Sequence, residues 1–119
     1  MTRLATHRSR NKYNAKKTRR DGHIFDSLAE ADHYIVLKAR QRDGEITNLR
    51  LQPKFILLEA FTDSSGKRQR PITYTADFAY DEAGDSVVVE VKGMETRDWI
   101  IRKKLFLQRY PQYRLEIVK

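Results

Sequence analysis

The feature that most constrains this 119-residue chain is an alternating run over residues 71–81, a tight turn, and a second, Val-rich run. Side chains alternate with period two along a strand. Ile72, Tyr74, Ala76, Phe78 and Tyr80 therefore fall on one face, and Thr73, Thr75, Asp77, Ala79 and Asp81 on the other. Glu82-Ala83-Gly84-Asp85 is a Gly-containing turn, and residues 86–92 (SVVVEVK) read as the returning strand. The pattern predicts an antiparallel hairpin with Asp77 beside Glu90 across the ladder, and Glu90 and Lys92 on one face. Ionised groups in such strands are costly unless something pairs with them.

The other elements follow from local signals. Residues 24–25 suit a short strand or a staple into a helix. Ser27-Leu28-Ala29-Glu30 has the spacing of a capping box, and Leu28, Ala31, Tyr34 and Ile35 recur at helical spacing. Gly44 is a natural stop, so a first helix is expected over about 27–42. Residues 46–51 and 54–61 read as strands separated by Pro53, and TDSSGK as a turn cluster. After Gly93, residues 97–109 form a second helix with Ile101, Leu105 and Phe106 buried, ending before Pro111. Residues 113–118 make a last strand, and a helix between two strands is the usual parallel crossover. The expected class is α/β, with a mixed α+β sheet: helix, three antiparallel strands, helix, strand.

Composition narrows the function. The chain contains no Cys, which excludes disulfide scaffolds, zinc ribbons and thiol nucleophiles and suits a reducing cytoplasm. No apolar run has the length of a membrane span, and no signal-peptide core follows the basic N-terminus, so a soluble cytoplasmic protein is expected. The formal net charge is +8, and almost all of it lies in residues 1–23. That segment holds Arg3, Arg8, Arg10, Lys12, Lys16, Lys17, Arg19 and Arg20 against Asp21 alone. It reads as a flexible basic arm preceding a domain over 24–119, either merely solvated or gripping a phosphate backbone.

The acids in the hairpin match the needs of phosphodiester hydrolysis. A hard cation such as Mg²⁺ takes one or two carboxylates together with waters and phosphate oxygens. Asp77 and Glu90 supply the carboxylates, the Val91 carbonyl a further oxygen, Glu30 a third carboxylate, and Lys92 a positive group beside the attacked phosphate. Each residue has a plainer reading. Glu30 is the capping-box acid, Asp77 an edge-strand charge, and Glu90 with Lys92 a solvated face. His7, His23 and His33 have no second ligand at metal spacing.

ADF…EVKG, with twelve residues between Asp77 and Glu90, resembles the PD-(D/E)XK nuclease motif, with Ala76 where that motif has Pro. KYNAKKT, FDSLAEADHY, LQPKF, ITYTADFAY and EVKGMETRDWIIRKKLFLQRYP look like a family of small phage and prophage nucleases. The last of these is also similar to a segment of phage junction-resolving endonuclease I. The resemblance runs from about Lys12 to the C-terminus. It implies a restriction-endonuclease-like core and an Mg²⁺-dependent endodeoxyribonuclease, Mn²⁺ substituting, of the Holliday junction resolvase kind. Such enzymes act on branched DNA in phage recombination or packaging, as homodimers, within the bacterial cell. It implies Glu30, Asp77 and Glu90 as metal ligands and Lys92 as the catalytic lysine. Gln52 stands where such nucleases place a polar site residue, or caps the Pro53 turn. Arg102, Lys103 and Lys104 are candidate phosphate contacts, and Trp99 is expected in the core. The alternative is a non-catalytic nucleic-acid-binding module on the same fold.

Overall fold

The structure, a computed structural model, describes residues 16–119. Arg8, Arg10 and Lys12 lie outside the described residues. The chain divides into two compact units between Ala39 and Arg40, inside a helix.

In the first unit, β1 (Thr18–Arg20) and β2 (His23–Phe25) form an antiparallel hairpin. Within the basic segment, Thr18, Arg19 and Arg20 are thus paired as a strand. Asp21 and Gly22 both take positive φ at its turn. Helix α1 (Leu28–Arg42) follows Ser27, whose side chain caps its first turn. The Glu30 backbone N–H donates to Ser27 Oγ at 3.1 Å, and that hydroxyl lies 3.4 Å from Glu30 Oε2. Ala31, Tyr34 and Leu37 are its buried residues, and the Tyr34 ring packs on Phe25 with centroids 5.1 Å apart.

The second unit opens on the end of α1. Glu45 donates its N–H to the Arg40 carbonyl and Gly44 to that of Gln41, a Schellman closure with Gly44 at φ 82°. Strands β3 (Thr47–Leu51), β8 (Phe78–Glu82), β9 (Asp85–Val91) and β10 (Tyr113–Val118) make a four-stranded sheet in the order β10-β9-β8-β3. β3, β8 and β9 are antiparallel neighbours, and β10 runs parallel to β9 after helix α2 (Arg97–Arg109). The architecture is a mixed α+β fold with a mixed sheet and two helices among the described residues. Ala83 (φ 51°) and Gly84 (φ 88°) form the β8–β9 turn, the positive-φ pair that a tight type I′ turn demands.

Two expected strands are broken. Residues 54–61 divide into β4 (Lys54–Leu58) and β5 (Phe61–Thr62), and residues 71–81 into β7 (Ile72–Thr75) and β8. β4 pairs with β7, and β5 with β6 (Arg68–Gln69), each pair outside the main sheet. Gln52 causes part of the break: it takes φ 52° just before Pro53, which has no N–H to give a ladder. The partner strand changes at the same level, where Ala76 donates to the Pro53 carbonyl and Asp77 to that of Val89.

The break also changes faces. Tyr74 and Ala76 join one cluster with Ala79, Val88, Phe55, Trp99 and Phe106, although simple alternation sets them with Phe78 and Tyr80. Phe78, Tyr80, Val87 and Val89 are fully buried on the other face of the hairpin. Along α2, Trp99 and Phe106 are buried and Leu105 is partly buried. Ile101, expected inside, is 58% exposed because it lies off the Trp99–Phe106 stripe. Trp99 is core, as expected.

Candidate active site

Asp77 stands at the strand break, and its backbone ties three segments together. Its N–H donates to Val89, its carbonyl accepts the Gln52 N–H at 3.0 Å, and its Oδ2 accepts the Val91 N–H at 2.7 Å. Gln52 is therefore joined to Asp77 through the main chain. Val91, expected to offer its carbonyl, meets Asp77 through its N–H.

Glu90 is in β9, an inner strand of the sheet. Phe78 pairs with Val89 on one side, and Ile117 of β10 pairs with Glu90 itself on the other. Its strand position buries the side chain, and Glu90 is 8% exposed. Oε1 accepts the Tyr74 hydroxyl at 2.6 Å, and Oε2 lies 3.7 Å from Lys92 Nζ. Burial, and secondly the charge of Asp77, push the Glu90 carboxyl up to about 7; the Tyr74 hydrogen bond and the Lys92 charge act the other way. Burial, and then Glu90, hold the Tyr74 hydroxyl far above its ordinary range, so it remains a donor.

Lys92 also stands over the Trp99 ring, its Nζ 5.2 Å from the centroid, a cation–π arrangement that fixes the long side chain. α2 delivers Trp99 because Thr96 caps the helix, its Oγ1 accepting the Trp99 N–H at 3.2 Å. Glu90, Lys92, Tyr74, Thr96, Trp99 and Arg102 line an open cleft of about 360 Å³. Arg102 reaches from α2 to the Thr73 carbonyl, while Lys103 pairs with Glu95 at 3.4 Å. Lys104 is exposed.

The structure thus gathers Asp77, Glu90 and Lys92. Glu30 belongs to the first unit, where it serves the helix cap. Lys16, Lys17, Arg19 and Arg20 are also in that unit, and Lys17 pairs with Asp26 at 2.9 Å. Among the described residues no group of three or more His, Asp or Glu forms a ready metal cage. The paired carboxylates Asp77 and Glu90 are nonetheless an oxygen-only donor set whose mutual repulsion a hard cation would relieve, which fits Mg²⁺.

Alternation hid Tyr74, since it sets Tyr74 and Asp77 on opposite faces; only the break brings both to Glu90. The Ala76-Asp77 junction opposite a Gln-Pro pair is the one sequence signal that points there.

Among the described residues no helix is long and apolar enough to cross a membrane. Residues 10–119 match the family described as a protein of unknown function, DUF1064, and the chain belongs to that family. No curated protein matches it.

Proposed function

We propose that this member of the DUF1064 family is a metal-dependent endodeoxyribonuclease that hydrolyses DNA phosphodiesters, selecting branched DNA such as Holliday junctions, on a PD-(D/E)XK-type core. The observation that carries the reading is the meeting of Asp77, buried Glu90 and Lys92 beside an open cleft. A buried acid held next to a second acid and a lysine has no stabilising purpose that an apolar residue would not serve better. A buried acid raised by its surroundings and bordering a cleft is the kind of group that catalytic sites contain.

Asp77 and Glu90 would hold the cation, which would supply charge neutralisation at the phosphate and lower the pKa of an attacking water. The chain's own residues do the rest. The Val91 N–H orients the Asp77 carboxylate. Lys92, braced by Trp99, lines the cleft, where its ammonium would offset charge growing on the phosphate oxygens. Arg102 and the Thr96 end of α2 offer further polar groups to a backbone entering the cleft. Water adds to phosphorus, the P–O3′ bond breaks, and the products are a 5′-phosphate and a 3′-hydroxyl.

The test is incubation of the purified chain with end-labelled four-way junction, flap and linear duplex, in Mg²⁺ and in EDTA. The reading expects Mg²⁺-dependent cutting with the junction preferred. Equal cutting of all three removes the branched-substrate part, and binding without cutting makes the chain a binding module.

A further inference from the structure

Glu90 can present its carboxylate in many orientations unless something fixes one oxygen. The Tyr74 hydroxyl occupies Oε1 at 2.6 Å, and both partners are buried, at 5% and 8% exposure. The tyrosine ring is itself held: its centroid lies 5.5 Å from Phe106, 5.6 Å from Trp99 and 6.2 Å from Phe55. The hydroxyl is thus mounted on a rigid aromatic post. Oε2 remains on the Lys92 side, where Glu90 borders the cleft. Tyr74 is in β7, outside the main sheet, and it reaches Glu90 because the chain breaks before Asp77.

We propose that Tyr74 is the positioning residue of this site, its hydroxyl holding Oε1 of Glu90 so that Oε2 is left on the Lys92 side as the oxygen that would serve a cation. The inference rests on the nuclease reading of the Asp77–Glu90 pair. Partners that orient a metal-binding side chain typically change metal affinity by about 10–100-fold when removed.

Calorimetric titration with Mn²⁺ alone, on wild type, Tyr74→Phe and Glu90→Gln, tests it, with duplex and junction binding in EDTA measured in parallel. Phe keeps the ring packing, and near-ultraviolet circular dichroism verifies the fold. The expected result is Mn²⁺ affinity about 10–100-fold weaker in Tyr74→Phe, with DNA binding in EDTA unchanged. Mn²⁺ affinity equal to or tighter than wild type overturns the proposal. So does weakening of metal and DNA binding together, which would make the hydroxyl a structural tether. If wild type takes up no Mn²⁺, or Glu90→Gln takes up as much, the site reading fails and the proposal with it.

Discussion

Oδ2 of Asp77 accepts the backbone N–H of Val91 at 2.7 Å, so the Asp77 carboxylate is fixed one residue from Glu90 at the end of β9. Two acids are thereby held in each other's field, with one of them buried. The energetic signature of that arrangement is measurable without any substrate.

Stability should fall as pH rises through the Glu90 titration. The folded carboxyl titrates at about 7 against an ordinary 4.5, so between those values the native state holds a proton that the unfolded chain has released. Unfolding free energy therefore decreases with pH across that window, by on the order of 2–3 kcal/mol from this group. Urea denaturation at pH 5 and pH 8 should show a larger loss in wild type than in Glu90→Gln. Parallel losses would contradict the assignment.

A divalent cation should reverse the penalty. At pH 8, Mg²⁺ at a hundredfold excess over its Kd should stabilise wild type by about 2.7 kcal/mol. Thermal melts of Glu90→Gln should be unmoved by the same addition. An equal upward shift in both proteins would mean that the ion binds elsewhere.

The ends of α1 give a structural control. Ser27→Ala removes the acceptor of the Glu30 N–H and should cost about 1 kcal/mol. Gly44→Ala forces a Cβ into φ 82° and should cost roughly 1–2 kcal/mol. Denaturant midpoints check both, and neither change should alter Mn²⁺ binding by Glu90.

Glu30 separates capping from chemistry. Glu30→Gln preserves capping-box geometry, so stability should change by less than about 0.5 kcal/mol. A fall in DNA cleavage at unchanged stability supports the third-carboxylate role that the resemblance assigns. Unaltered cleavage leaves Glu30 as a cap alone.

Much of this fold was legible because its signals are local. Ser27 with Glu30, Gly44, the Gly84 turn and the stop before Pro111 each state a backbone requirement in one or two residues. The mixed α+β order followed from them, and so did the meeting of Asp77 with Glu90. The break at Ala76-Asp77 was not legible, because part of its cause, Gln52 and Pro53, lies some 25 residues earlier in the chain. That distant cause put Tyr74 on Glu90 and created the separate β4–β7 ribbon. Ile101 misled for a related reason: periodicity says that a helix has an apolar face, while packing decides which residues share it. Buried Trp99 was expected, but its support of Lys92 depends on Thr96 capping α2 at the right residue.

The most direct measurement is cleavage of labelled junction DNA in Mg²⁺ by wild type and by Asp77→Asn, with binding of both measured in EDTA. Asn keeps an oxygen for the Val91 N–H but removes the charge. The account predicts that cleavage falls by about a hundredfold or more while DNA affinity is retained. Cleavage by Asp77→Asn at the wild-type rate would contradict it.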